Sequence, residues 1–266
     1  ARESEVIIYS DSGEIFHPNI NFNLNLDNKL LILSRGKEGL KQAPFFNDDH
    51  EVEIYVDQVV WNLDLPQIEF DMTNAESRAF IESKDFYKDI RYEKIPRGML
   101  KYHPLSKMRD FVIRNRKREF TFTEYAQWMG SRQIYLKSQI VELADLGYLF
   151  FNPATDTIKV RTKLDHAVLS HMKLADYDVI RFSSVISARS NAFLNLINNT
   201  FVIEGVRAFK FSDSQSVYAF PHEQKVILKN KRKMEFGGKV TAGKFDFYSK
   251  RFDFDYFNFE ISSDNI

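Results

Sequence analysis

Between residues 245 and 261 an aromatic or aliphatic side chain stands at nearly every second position. Phe245, Phe247, Phe252, Phe254 and Tyr256 are followed by Phe257, Phe259 and Ile261, mostly with Asp, Asn or Glu between them. Successive side chains of a β-strand point to opposite faces, so this alternation puts each ring on one face and each acid on the other. Gly237, Gly238 and Gly243 punctuate these strands. With 25 Phe but only two Trp in the chain, core packing is the best use of most of the rings. An open edge with so many aromatics invites aggregation, so neighbouring sequence or a partner is expected to cover it.

Strand-like runs extend this reading to both ends of the chain. Before residue 72 they fall at 6–9, 22–26, 30–33, 52–56, 59–61 and 68–70, with Asp11-Ser12-Gly13 and Asp27-Asn28 as turns. After residue 177 they fall at 178–182, 192–197, 201–203, 209–211, 217–220 and 226–228, ahead of the Phe-rich end. Spacing of roughly 8 to 10 residues fits either a β-solenoid or a sandwich. The stretch 73–104 reads as a linker. It holds one short helix at 86–95, stopped by Pro96-Arg97-Gly98, and Ala79-Phe80-Ile81 as one further strand.

Residues 105–175 have a different character. Thr123 is placed to cap a helix in which Tyr125, Trp128 and Met129 share one buried face, and Gly130 supplies a sharp exit. Ser131 is placed to cap a second helix over 132–145, with Leu136, Ile140, Leu143 and Ala144 at helical spacing. Gly147 ends it. Apolar runs on either side of Asn152-Pro153-Ala154-Thr155-Asp156 then read as a hairpin. Amphipathic segments at 105–114 and 164–173 add helices before and after.

The paired pattern Phe-Thr-x-x-Glu-x-Ala-x-x-Met-Gly at 120–130 and Leu-x-x-x-Ile-x-x-Leu-x-x-x-Gly-Tyr-Leu at 136–149 resembles the winged-helix domain over residues 105–163. In the DNA-binding members of that family the second helix enters the major groove. Carried onto this sequence, the resemblance implies that Arg132, Tyr135, Gln139 and Glu142 share an outward face, with Gln133 and Lys137 beside them. Arg and Gln read base edges, and Tyr135 and Ser131 reach phosphates. Arg114, Arg116, Lys117 and Arg118 form a basic run just ahead, whereas Glu142 would repel a phosphate backbone. Eleven Lys and Arg face six Asp and Glu between residues 107 and 163, a modest excess beside the basic stripe of a dedicated nucleic-acid binder. The plainer reading is a solvated turn and an ordinary polar helix face.

A second resemblance covers the β-rich flanks. Phe16-His17-Pro18-x-Ile20-x-Phe22, Ala43-Pro44-Phe45 and Gly243-Lys244-Phe245-Asp246-Phe247-Tyr248 resemble segments of very large, uncharacterised proteins of gut-type and gliding Gram-negative bacteria. That likeness implies an exported or envelope setting and brings no catalytic motif.

Composition narrows the chemistry. The formal net charge is zero, so no global field steers the chain to nucleic acid or an acidic membrane. Cysteine is absent, which removes disulfides, thiolate catalysis and Cys-ligated metal. Among His17, His50, His103, His166, His171 and His222 no pair has the spacing that puts two ligands on one helix face. Asp48-Asp49-His50 could hold a cation, but a solvated acidic turn is the favoured reading. Neither a phosphate-binding glycine loop nor a nucleophile elbow occurs. Asp246, Asp253 and Asp255 could pair for glycoside hydrolysis, yet acids on alternating strands are usually the solvent face. No apolar run reaches the length of a membrane span. The chain opens on Ala1 and runs straight into a strand-like pattern, which reads as an excised or processed segment.

The expectation is an α+β protein. Its β-rich scaffold, solenoid or sandwich, is formed by parts 1–72 and 176–266, with 73–104 as linker and an inserted winged-helix unit at 105–175. The expected role is non-enzymatic, without catalytic residues, cofactor or metal: a structural or protein-interaction module of a larger exported protein. The candidate interaction face is Arg114, Arg116, Lys117, Arg118, Ser131, Arg132, Gln133, Tyr135, Lys137 and Gln139. The partner is expected to be protein, from the parent chain or another envelope protein. The alternatives are a cytoplasmic regulator that binds duplex DNA and, more distantly, a carbohydrate-binding or glycoside-hydrolysing β-domain.

Overall fold

The structure is a computed structural model that describes residues 4–10, 13–36, 39–74, 77–95, 102–131, 133–186 and 190–263. The chain divides into two units. Unit 1 comprises Ala1–Gly36, Phe45–Phe86 and Asp178–Ile266, and unit 2 comprises Lys37–Pro44 and Tyr87–Tyr177. Unit 1 begins with β1 (Ser4–Tyr9), β2 (Glu14–Asn25), β3 (Leu30–Ser34), β4 (Phe45–Asn47) and β5 (Val52–Tyr55). It continues through β6 (Gln58–Asn62), β7 (Gln67–Asp71) and β8 (Ala79–Ser83). Unit 2 holds α1 (Asp89–Lys94), α2 (Pro104–Asn115), β9 (Glu119–Thr121), α3 (Phe122–Met129) and α4 (Gln133–Asp145). Then come β10 (Leu149–Asn152), β11 (Thr157–Val160) and α5 (Thr162–His171), and a 3-10 turn, Gly39–Gln42, also belongs to this unit. Unit 1 resumes with β12 (Arg181–Ser184), β13 (Ala192–Asn195), β14 (Thr200–Ile203), β15 (Phe209–Ser212) and β16 (Val217–Pro221). It ends with β17 (Val226–Leu228), β18 (Met234–Ala242), β19 (Phe245–Asp255) and β20 (Glu260–Ser263).

One local device recurs in the hairpins. Asn25, Asn152, Asn195 and Asp255 each end a strand, and each Oδ1 accepts the backbone N–H groups two and three residues on. The residue four positions on is left-handed in every case: Lys29, Asp156, Asn199 and Phe259 have φ of 52, 56, 52 and 52°. The side chain thus satisfies the amides that a tight turn frees, and a four-residue loop follows. At 255–260 this turn takes up Phe257 and Phe259, which the alternation had assigned to a strand, and Phe257 is 93% exposed.

Unit 1 is a large antiparallel sheet built in two groups of strands that share β2. β1, the start of β2, β4, β5, β8 and β12 pair in that order. The end of β2 continues through β3, β6, β7, β13, β14, β17 and β18. β18 also pairs with β16 and, on its other edge, with β19. Strands from the two ends of the chain are direct neighbours: Ile81 lies opposite Phe182, and Phe70 opposite Ala192. Residues 79–83, inside the stretch expected to be a linker, are therefore a paired strand of this sheet.

Both groups contribute to one core. Phe45, Ile54, Ile68, Phe70, Ile81, Phe182, Phe201 and Ile203 are almost wholly buried in it. Phe70 meets Phe201 edge-on at 5.2 Å and Phe45 at 6.5 Å, the geometry favoured by the ring quadrupoles. Phe252 and Phe254 fill the core beside Phe236 and Phe211, at 5.4 and 4.6 Å. Asp253 and Asp255 occupy the opposite face, ion-paired with Arg251 and Lys233. Phe245 and Phe247 sit opposite the core-side residues Ala242 and Val240, yet they are 71% and 37% exposed.

Two buried polar clusters depend on contacts between distant segments. His50, expected in a solvated turn, is fully buried, with Nδ1 3.1 Å from Asn47 Oδ1 and Nε2 3.1 Å from the Asn199 carbonyl. Asn199 Nδ2 donates to Asp49. Elsewhere Asp178, 4% exposed, accepts from the Ser83 and Tyr256 hydroxyls, both at 2.6 Å, and from the Ile180 N–H. Arg232 stacks 3.6 Å from the Tyr256 ring centre and bonds Asp85 at 2.6 Å and Glu51 at 2.9 Å.

Unit 2 packs α2, α3, α4 and α5 with the antiparallel strands β10, β11 and β9. Leu105, Met108, Phe111, Tyr125, Ile140, Leu149 and Leu164 form its centre. Helix α3 starts two residues earlier than expected. Its cap is Thr121 rather than Thr123, and Thr123 bonds Asp156 at 2.8 Å. Trp128, expected to be buried, is only partly so. It leans on Phe111 at 5.3 Å with Lys107 over its ring at 5.0 Å, because Phe122, Tyr125 and Ala126 take the inner face.

Two measurements follow from this packing. Leu143→Ala should destabilise the protein by about 2–5 kcal/mol in chemical unfolding, and Trp128→Ala by about 1–2 kcal/mol, since only a fully buried side chain leaves a cavity. The second concerns pH. Burial holds the His50 pKa below its ordinary 6.5, with Asp49 and the Asn199 carbonyl acting the other way. Below about pH 6.5 the unfolded chain takes up a proton that the folded chain refuses. This contribution to stability is complete above that pH and is lost as pH falls toward the folded pKa, with a slope of up to ~1.4 kcal/mol per pH unit. Urea unfolding from pH 7.5 to 5 should show the slope, and His50→Gln should flatten it.

Candidate interaction surface

Helix α4 carries most of the candidate interaction residues, and its neighbours determine which face is presented. Thr121 and Glu124 form a reciprocal cap on α3: the Glu124 N–H donates to Thr121 Oγ1 at 3.1 Å, and the Thr121 N–H donates to Glu124 Oε2 at 2.9 Å. Gly130 ends α3 with φ of 61°, a conformation that glycine adopts without a Cβ penalty. The Ser131 hydroxyl donates back to the Met129 carbonyl at 3.4 Å. Arg132 lies outside the described residues.

Along α4, Gln133, Tyr135 and Lys137 are exposed, as the outward-face reading required. Gln139 is not: it is 8% exposed and belongs to the inner stripe. Leu136, Gln139, Ile140 and Leu143 stand at i, i+3, i+4 and i+7, the spacing of one buried helical face. Polarity placed Gln139 outside, and geometry places it inside. Glu142 is half-buried, and burial pushes its carboxyl above the usual range. The 3-10 turn Gly39–Gln42 packs against α4, where a Cβ on Gly39 would lie 3.8 Å from Val141. Nothing in the local sequence of α4 signals that cover.

The presented face also carries apolar side chains that the charge reading passed over. Ile134 is 76% exposed and Tyr135 54%. The basic run is partly spent within the unit. Lys117 pairs with Glu124, and Arg118 shares Asp165 with Arg109. Arg114 and Arg116 remain exposed, Arg116 with φ of 53° at the end of α2.

At the other side of unit 2 the Tyr92 ring is stacked between His103 at 3.8 Å and His171 at 4.2 Å. The Tyr87 hydroxyl donates to Asp89 at 2.6 Å. That bond holds the Asp89 carboxyl below its ordinary range, while burial and Asp89 push the Tyr87 phenol up. At neutral pH this phenol is a hydrogen-bond donor, with no tendency to act as a nucleophile. Among the described residues no group of three or more His, Asp or Glu is placed to hold a metal ion. Asp246, Asp253 and Asp255 are engaged with Lys239 and Thr241, with Arg251, and with Lys233 respectively. Those bonds keep all three carboxyls below their ordinary range, the reverse of what a general acid requires.

Comparison of the chain with family models, with curated proteins and with solved structures returned no match. The surface itself therefore carries the functional argument. Its integrity rests on the cap that orients α3 ahead of α4. Thr121→Ala should cost about 1 kcal/mol of stability, the usual worth of an N-cap side chain. Thr121→Ser should restore most of it in the same unfolding measurement.

Proposed function

We propose that the chain is a non-enzymatic interaction module of a larger, exported protein, in which unit 2 is a winged-helix unit that meets a protein partner through α4. The order of elements from α2 to β11 supports the winged-helix reading: helix, strand, two helices, two strands, with β9, β11 and β10 in one sheet. Unit 1 reads as a sandwich-like scaffold rather than a solenoid, since its ladders are antiparallel and two strand groups share one core. The exported setting rests on the likeness of the β-rich segments to large envelope proteins. Among the described residues no helix is long and apolar enough to cross a membrane.

The observation that carries the choice of partner is the exposure of Ile134 and Tyr135 at 76% and 54% on the presented face of α4. Exposed Tyr and aliphatic residues beside few charges are what the centre of a protein interface contains. A groove of phosphates calls instead for unpaired cations, and here Lys117 and Arg118 are already paired. Duplex DNA binding is the second reading, favoured by Gln133, Lys137, Arg114 and Arg116 on the exposed side.

Titration of the protein against a random duplex library at low and at physiological salt separates the two. The protein-partner reading predicts weak, sequence-independent retention that disappears as salt rises. Enrichment of one sequence with sub-micromolar affinity at physiological salt would overturn it, the more so if Arg116→Ala lowered the salt dependence by about 0.9 log unit, one phosphate contact.

A further inference from the structure

The outer face of β16, β18 and β19, turned away from the core, carries a groove of about 1190 Å³. A defect in the sheet makes it. Phe236 pairs with Phe252 and Gly238 with Ser249, so Lys250 and Arg251 together oppose Gly237 in a β-bulge. On the outer face of β18 the side chains are Glu235, then none at Gly237, then Lys239. Rows four residues apart along a strand are about 13 Å apart, and the missing side chain between them leaves a trough across the strands. Glycine is required there. A Cβ on Gly237 would lie 2.4 Å from the Lys250 carbonyl oxygen, and Gly238 has φ of 142°.

The two walls differ. One is a cross-strand row of Phe220, Lys239 and Tyr248, with Lys239 Nζ 4.8 Å from the Phe220 ring centre. Phe220 is 38% exposed and Tyr248 64%, an unusual outlay of aromatic surface on a face turned away from the core. The other is Ile227 and Glu235, with Arg251 3.2 Å from Glu235. His222, Glu223, Lys225 and Lys250 complete the lining, and their side chains make no hydrogen bond or ion pair with other described residues. Of the four cations in the lining, Lys239 pairs with Asp246 and Arg251 with Glu235 and Asp253, which leaves Lys225 and Lys250 against Glu223.

We propose that this groove binds a chain of sugars bearing carboxylates. Flat aromatic faces on one wall suit the C–H faces of pyranose rings. Unpaired Lys side chains suit carboxylates, and Glu223 and His222 suit hydroxyls that donate as well as accept. An acidic peptide meets the same charges but fits less well. The trough runs across the strands, so a peptide lying in it meets no sheet edge for its own backbone N–H and C=O groups. The inference is independent of what α4 binds.

Affinity electrophoresis of the whole chain tests it, in gels cast with polygalacturonate, alginate or hyaluronate, with dextran as neutral control and polyglutamate as charged control. Retardation is expected with at least one of the three carboxylated polysaccharides, little or none with dextran, and clearly less with polyglutamate. Tyr248→Ala and Lys250→Ala, both at exposed positions, should each weaken the retardation about tenfold, with far-UV circular dichroism unchanged. Lys159→Ala, in unit 2, should leave it as it was. Mobility unaffected by all three carboxylated polysaccharides would overturn the proposal. So would equal retardation by polyglutamate, or a Tyr248→Ala variant that binds as the parent does.

Discussion

Ile81 pairs with Phe182 and Phe70 with Ala192, so the first eighty-odd residues and the last ninety form one sheet only through contacts made over a separation of a hundred residues or more. Contacts of that range are entropically expensive to close and slow to find. Unit 2 shortens the search. The Tyr87 and Tyr177 rings, at its two ends, meet edge-on at 5.1 Å. A folded unit 2 therefore holds the two ends of its segment together, and it leaves β8 and β12 only a few residues from a shared point. The sheet depends on this non-local pairing, and the pairing is eased by a local fold in the middle of the chain.

Once the strands are paired, buried polar groups fix their register. Asp178 stands at the re-entry into unit 1, with donors from β8, from the β19–β20 turn and from its own strand approach. Burial alone raises the Asp178 pKa, and the Ser83 and Tyr256 hydroxyls and Arg232 act against that shift. Removing one member of such a cluster leaves the others buried and unsatisfied, which is costly, whereas the assembled set contributes little net stability. Its value lies in specificity: a one-residue slip of β8 against β12 would carry Ser83 away from Asp178. His50 acts in the same way by joining the β4–β5 turn to the β13–β14 turn.

Local rules made much of this legible in the sequence. The helical spacing of Leu136, Ile140, Leu143 and Ala144 defined α4, the Asn152–Asp156 cluster defined the β10–β11 turn, and period-two alternation defined β19 as far as Asp255. What local rules missed is non-local. Gln139 is buried because a helical stripe includes i+3 whatever its polarity. His50 is buried because Asn199, far along the chain, supplies its second acceptor. Residues 79–81 read locally as a strand but were placed in a linker, because the strands on either side of β8, β5 and β12, lie elsewhere in the sequence. On the candidate surface, the polar residues of α4 were visible, but the exposure of Ile134 and the pairing of Lys117 and Arg118 are facts of packing. The groove had one signal, the Gly237-Gly238 pair, whose meaning depends on the bulge opposite.

Native-state hydrogen exchange on the whole chain tests the central dependence most directly. The account predicts that the amides of β7 and β8 open with the same free energy as those of β12 and β13, because neither half of the sheet holds structure without the other. It also predicts that the inner amides of α2 and α4 remain protected when those strands exchange, since unit 2 has a core of its own. Protection of β12–β20 that persisted while β3–β8 exchanged freely would contradict the account. It would mean that the C-terminal strands form a sheet of their own.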